Sequence, residues 1–409
     1  MYFVRKKTRN RWVTQIQKNA SSVTRENGYS FIDQYIKDKR IILLGENCHG
    51  VANYYSTKID IIRYLHENHG YNVVVFESGL LEATMCEMFL SNHSTEEKIR
   101  NGFLDIFHNE EMKALFTGEW AQHLKISGMD VQPTYPLISE YMLEWVKDHT
   151  DNDLYNSLKK VEMTFFELDK EMMYKVTRQL KSRMKVLIEE YQKWLVFFNS
   201  KRMKYAECVN NRMLELIHRG MINRVQWLKT NLKGYLSSGI LRGKLMFENL
   251  EWLLDNYYKN EKVIVWAHNF HIRKKQTWPS KLLGIKSVGH LLRQNRDNDC
   301  FSLGLYAGSG NVASLLRVDI EIDTTKKNHL ESLLDEASKN DIFLPLDIIN
   351  QKGKKNMWYD QKWWLLESGL MSFAPKVLYP QEHYDALLFF KDVRPPLYFN
   401  HKKSEEGHI

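Results

Sequence analysis

Proline is absent from Leu137 to Trp278, and glycine from Met129 to Arg219. So long a stretch without either breaker excludes a succession of short strands and tight turns there. Its Leu-, Met-, Lys- and Glu-rich sequence has helical periodicity and predicts long helices from about 137 to 257. Cysteine is scarce: Cys48, Cys86, Cys208 and Cys300 are scattered without CxxC spacing. That excludes a zinc ribbon or a disulfide scaffold and points to a reducing, cytoplasmic setting. No apolar run approaches the roughly 20 residues of a membrane span. The N-terminal MYFVRKKTRNRW is followed by no apolar stretch and is a poor signal peptide. HExxH, GxSxG, GxGxxG and P-loop motifs are all missing. Their absence removes the helix-borne zinc protease, the serine hydrolase with a nucleophile elbow, and any support for nucleotide binding.

What is present is an ordinary globular composition, 43% hydrophobic and 26% charged over 409 residues, enough for one large core or two domains. A net charge of +8 and a pI near 9.0 draw anions to the surface. Basic residues alternate with acidic ones and no nucleic-acid module is recognisable, so neither nucleic acid nor a membrane is expected as partner.

Three segments share one pattern. Residues 40–44 (RIILL) lead into GENCHG, 71–76 (YNVVVF) into Glu77-Ser78-Gly79, and 262–266 (KVIVW) into AHNFH. Continuous rather than alternating apolarity marks strands covered on both faces, as in a parallel sheet. Between the first two runs, Tyr54, Ile59, Ile62 and Leu65 fall at helical spacing and Gly70 is a stop signal, making a βαβ unit. Weaker strands are predicted at 128–132, 300–306, 315–322 and 385–390, and Ser94 to Glu97 reads as a capping box. The fold class is α/β: a mainly parallel sheet core flanked by helices, with a large helical insertion or cap over the site. The core takes 1–136 and 258–409 and the cap 137–257, in one continuous unit. Within the cap, Met172, Met173, Phe197 and Phe198 read as packing rather than as a cofactor site. The tail 401–409 reads as frayed.

Ligands collect at the carboxyl ends of strands in open parallel sheets. Those ends carry Glu46 and His49, then Glu77, then His268 and His271. Singly, each has a structural explanation: a helix start, a satisfied histidine, a carboxylate paired with Lys or Arg, a turn closed through backbone hydrogen bonds. Together, on equivalent strand ends, they point to function. A histidine held by a carboxylate is a general base, and a second imidazole can act as acid or polarise a carbonyl. The same five side chains also suit a divalent metal, and spacing does not separate the two. Cys48, between Glu46 and His49, is a weaker alternative as a thiol nucleophile.

GENCHG (45–50), VVVFESG (73–79) and VIVWAHNFHI (263–272) together resemble the erythromycin esterase family. SGMDVQ (127–132), RGKLMFENLEWLL (242–254) and YDALLFF (384–390) extend the resemblance, in order, from about 40 to 390. The resemblance implies that His49 activates water, that Glu46 and Glu77 stand beside it, and that His268 and His271 share the cleft. It places Asn53, Lys58, Asp130, Arg242 and Asn269 as substrate-binding positions. It implies a hydrolase acting on a small-molecule carboxylic ester or lactone, without a covalent intermediate and without a cofactor. Two alternatives stay open: a metal-dependent hydrolase with Glu46, His49, Glu77, His268 and His271 as ligands, and a member that binds a small molecule without turning it over. Relatives open the macrolactone of erythromycin-type antibiotics, but membership alone does not make the chain a resistance enzyme. Asn53 stands where an acid is common, Cys48 where Thr or Ser is usual, and Phe247 where a small residue is common.

Overall fold

The computed structural model describes residues 5–24, 28–149, 152–206, 211–322, 327–346, 357–368 and 373–400. Cys208 and the tail 401–409 lie outside these residues. The strands are β1 (Ser21–Ser22), β2 (Ile41–Leu44), β3 (Tyr71–Gly79), β4 (Lys125–Asp130), β5 (Lys262–Trp266), β6 (Cys300–Ala313), β7 (Asp319–Glu321), β8 (Ile342–Pro345), β9 (Trp363–Ser368), β10 (Phe373–Leu378) and β11 (Ala386–Val393). All but β9 and β10, which form a separate antiparallel pair, join one sheet in the order β1-β8-β11-β6-β2-β5-β3-β4, with β7 hairpinned onto β6.

From β11 to β4 every pairing along this order is parallel, and β8 runs antiparallel at the β11 edge. The four side chains of β2 have no exposed surface, as their unbroken apolarity requires. The Ala52–His69 helix that follows buries Tyr54, Ile59, Ile62 and Leu65 and ends at Gly70, whose φ of 71° is the left-handed conformation of a glycine cap. The expected βαβ unit forms with one difference: β2 and β3 are not neighbours. β5, almost two hundred residues later in the chain, lies between them. Its register aligns Leu44, Trp266 and Phe76 across three strands, so the residues that follow each emerge at one place.

The region without proline folds into helices Leu137–His149, Asn152–Tyr174, Arg178–Ala206, Asn211–Leu232 and Tyr235–Trp252, the last continuing as a π turn over Leu253–Tyr257. Phe198 is buried and Met172 and Phe197 pack against the core, whereas Met173 is 83% exposed at the end of its helix and departs from the packing reading. The capping box at Ser94 and Glu97 forms with both hydrogen bonds. The expected strand at 315–322 is a correction: residues 314–317 turn and only Asp319–Glu321 pairs with β6. β6 runs on to Ala313, past the expected 306. No described helix is long and apolar enough to cross a membrane.

Candidate active site

Glycine opens and closes GENCHG for steric reasons. A Cβ on Gly45 would stand 2.0 Å from Asn269 Oδ1, and one on Gly50 would stand 1.9 Å from the Ala313 carbonyl oxygen. These close approaches bind the motif to the β5 turn on one side and to the end of β6 on the other, where the Ala313 amide donates to the Gly50 carbonyl at 2.8 Å. Between them the chain turns so that Glu46 lies inside and His49 faces a cleft.

Glu46 is buried and fully engaged. Its Oε1 meets His49 Nδ1 at 2.6 Å, while Oε2 accepts from Lys58 Nζ at 2.5 Å and from the Trp266 indole N–H at 3.2 Å. Burial alone would raise the Glu46 pKa, but the charges and hydrogen bonds of Lys58 and His49 lower it. Lys58, with no exposed surface, lies 4.6 Å from the centre of the Trp266 ring. Burial takes its pKa down to about 8 against the pull of Glu46. For His49 too burial works downward, yet the Glu46 hydrogen bond and charge, assisted by Glu77, raise its pKa overall. With Nδ1 held by Glu46, Nε2 is the nitrogen left to act on a ligand.

Glu77 is the second buried carboxylate. Its Oε2 accepts the His268 backbone N–H at 2.9 Å, and its Oε1 lies 3.1 Å from His271 Nε2 and 3.3 Å from Arg242 Nη2. Burial opposes its charge, but His271, Arg242 and His49 hold its pKa well below the usual carboxylate range. Arg242 comes from the Tyr235–Trp252 helix and is clamped by Asp130 at the end of β4, with Nε 3.1 and 3.0 Å from the two carboxylate oxygens. Arg242, Met246 and Asn249 lie at i, i+4 and i+7 on one helix face, and Asn249 Nδ2 donates to the Met129 carbonyl at 3.0 Å. That spacing docks the helix onto β4 and delivers the guanidinium to the sheet end.

Both ring nitrogens of His268 are occupied. Nδ1 accepts from the Phe270 N–H at 3.1 Å, which leaves the ring proton on Nε2, donated to the Asn47 carbonyl at 3.2 Å. Burial and the neighbouring His49 push its pKa down to about 4, so the ring is neutral near neutrality. The structural reading of a histidine closing its own turn therefore holds for His268. Its ring centre is 5.1 Å from that of His49.

Among the other expected positions, Asn269 is buried and ties β5 to β6 through Leu305, donating to its carbonyl at 3.0 Å. Asn53 accepts the Arg394 amide at 3.0 Å and lies against the end of β11. Both hold backbone to backbone. The Cys48 thiol is buried and points to the Ala313 carbonyl, 3.6 Å away. Trp266 and Asn47 received no role from the sequence, yet one donates to Glu46 and the other accepts from His268. A tryptophan ending a wholly buried strand signals that its indole N–H must find an acceptor.

The cleft beside His49 has a volume of about 230 Å³ and is lined by Cys48, Ile106, Ala313, Leu315, Arg317 and Tyr398 among others. Its lip is the 314–317 turn. There Arg317 takes a φ of 59°, strained for a side chain of this size, and its guanidinium lies 4.5 Å from the centre of the Tyr398 ring. Sequence periodicity gives no sign of this wall, because it is made by a turn and by a residue near the far end of the chain. The donor set fits a metal poorly: the oxygens of Glu46 and Glu77 are committed to cations and N–H groups, and no three His, Cys, Asp or Glu among the described residues are gathered to hold an ion.

Residues 66–393 match the family model described as erythromycin esterase. A Bacillus subtilis (strain 168) protein that carries the name "Putative hydrolase YbfO" is 26% identical over 422 aligned residues, covering 94% of this chain and 91% of that one. Erythromycin esterase type II of Escherichia coli is 25% identical over 323 residues, 71% of this chain and 73% of that one. A mutant of the erythromycin esterase EreC in its open conformation has the same fold, with a TM-score of 0.68 at 15% identity, over 94% of this chain and 97% of that one. The family match begins after GENCHG, and the wider Bacillus alignment reaches back across it. By sequence over most of its length, and in agreement with its fold, the chain belongs to the erythromycin esterase family of hydrolases.

Proposed function

We propose that this protein hydrolyses a carboxylic ester or lactone with water activated directly by His49, without a covalent intermediate and without a metal. The observation that carries the reading is the 2.6 Å contact between Glu46 and His49 Nδ1 in a ring that lines an open cleft. Glu46 fixes the tautomer with the proton on Nδ1, so Nε2 is a bare acceptor facing the substrate. Nε2 takes a proton from water as the oxygen attacks the ester carbonyl. The imidazolium then formed is stabilised by Glu46. When the tetrahedral intermediate collapses, the C–O bond breaks and the leaving alkoxide recovers the proton from Nε2. The products are a carboxylic acid and an alcohol.

His268, neutral and bound on both nitrogens, keeps a second positive charge away from His49. Arg317 is the cation among the cleft-lining residues and is assigned to polarise the carbonyl, while Arg242, held by Asp130 and Glu77, adds positive charge at the sheet end. The cleft is smaller than the roughly 300–1,000 Å³ typical of ligand pockets. It fits the ester group and its near neighbours, leaving a larger substrate to lie along exposed Leu315 and Leu316.

The test is incubation with a panel of soluble esters and lactones, including an erythromycin-type macrolide, read by mass spectrometry for addition of one water. His49→Asn is expected to lower kcat by about 10²–10⁴-fold with an unchanged melting curve. Wild-type turnover in that variant sinks the assignment, as does activity that tracks a stoichiometric metal and is lost to chelators.

A further inference from the structure

Between Glu261 and Asp297 the chain contains no acidic residue and eight basic ones: Lys262, Arg273, Lys274, Lys275, Lys281, Lys286, Arg293 and Arg296. The alternation of charge seen elsewhere fails here. Several of the eight turn inward: Arg273 pairs with Glu367, and Lys274 and Arg293 with Asp385. Lys275, Lys281 and Lys286 face outward, and among the described residues only Lys275 pairs with a carboxylate, Glu382 at 3.7 Å.

The same segment carries a concentration of exposed apolar surface. Trp278 is 75% exposed, Leu282 71% and Leu283 59%. They sit on a short helix, Trp278–Leu282, capped by Thr277 and followed by Gly284 with a φ of 69°. Trp278 and Leu282, at i and i+4, share a face. The tip is fixed to the body at its base, where the Lys286 carbonyl lies so close to Gly243 that a Cβ there would be 2.3 Å away. Gly243 adjoins Arg242, so the base of the tip is tied next to the residue that pairs with Glu77.

We propose that this tip docks on the surface of an anionic phospholipid bilayer, with Trp278, Leu282 and Leu283 entering the headgroup region and Lys275, Lys281 and Lys286 lying among the phosphates. The charge argument is specific: an acid-free segment ringed by outward lysines complements an anionic surface. The apolar argument separates lipid from nucleic acid, since two bare leucines and a tryptophan gain by leaving water but have no use against a phosphate backbone. Tryptophan is at home in the bilayer interface. The docking is peripheral, so the sequence-based expectation of no membrane partner is revised for the bilayer surface alone.

Flotation of the full chain with vesicles of phosphatidylcholine, and of phosphatidylcholine mixed equally with phosphatidylglycerol, tests this. Binding is expected on the anionic vesicles only, and is expected to fall as salt is raised. Changing Lys275, Lys281 and Lys286 together to Glu should weaken it by at least about a hundredfold, each lysine near such a surface being worth roughly fivefold. Trp278→Ser with Leu282→Ser and Leu283→Ser should abolish it as well. Both variants should keep the wild-type melting curve and the wild-type rate on a soluble ester. Absence of binding to the anionic vesicles, equal binding to both kinds of vesicle, or wild-type binding by the variants overturns the proposal. So does a wild-type dimer that the serine variant breaks, which would assign the tip to a second copy. Preferential capture by duplex DNA, insensitive to the serine changes, would overturn it in favour of nucleic acid.

Discussion

The rings of His49 and His268 lie 5.1 Å apart, centre to centre, at 53° to one another, yet their environments drive them in opposite directions. Burial and the neighbouring imidazole push His268 down to about 4. Burial also acts against a charged His49, but Glu46 more than reverses it. Two adjacent imidazoles are thereby assigned distinct states by a carboxylate on one and uncompensated burial of the other.

The first prediction is a pH profile. A base must be neutral to act, so kcat/KM should rise with pH through the pKa of His49, above the ordinary histidine value of about 6.5. An alkaline limb should appear as Lys58 loses its proton near pH 8 and the charge balance around Glu46 is lost. Glu46→Gln removes the cause that raises His49 while leaving it buried, so the acid limb should move below about 6.5 and the rate should fall. Initial rates across pH check both; an acid limb that stays in place in Glu46→Gln contradicts the electrostatic account.

The second concerns acid stability. The folded pKa of Glu77 is depressed, so its contribution is present above the unfolded carboxylate value of about 4.3 and is lost as pH falls toward the folded value. Glu77→Gln should therefore reduce the pH dependence of stability below about 4.3. At neutral pH the variant should be less stable by about 3–5 kcal/mol, because Arg242 and His271 lose a buried partner. Denaturant melts at neutral and acidic pH measure it; a wild-type slope in the variant would assign the acid sensitivity elsewhere.

Cys48 distinguishes attack by water from attack by thiolate. Its thiol is turned toward the Ala313 carbonyl, and serine preserves a donor there. Cys48→Ser should change kcat/KM by roughly fivefold at most, about 1 kcal/mol. A loss as deep as that of His49→Asn, or an acyl adduct on the wild-type protein by mass spectrometry, would restore the thiol as nucleophile.

Much of the site was legible because the signals were local. Buried parallel strands read as unbroken apolar runs, and Glu46, Glu77 and His268 each follow one within two residues. Lys58 and Arg242 came from motif resemblance, and the structure brings both to the carboxylates. The two asparagines did not follow suit: Asn53 and Asn269 hold backbone, which composition does not distinguish from ligand contact. β8 and β1 escaped notice because they are short, and the 314–317 lip because a turn built on Arg317 in a left-handed conformation has no glycine to announce it. The neutrality of His268 was hidden for a different reason, since it depends on burial and on the approach of His49, and its tautomer on the Phe270 amide and the Asn47 carbonyl, which every residue type supplies.

The placement of β5 between β2 and β3 has a consequence in time as well as in space. During synthesis the first two strands emerge with their carboxylates long before the strand that separates them exists. Until that strand arrives, the sheet lacks its middle rung and Glu46 lacks the Trp266 indole. Such distant pairing slows folding and exposes unpaired strand edges meanwhile. The candidate site is thus completed late, and a chain cut short before residue 262 would carry both carboxylates but no site.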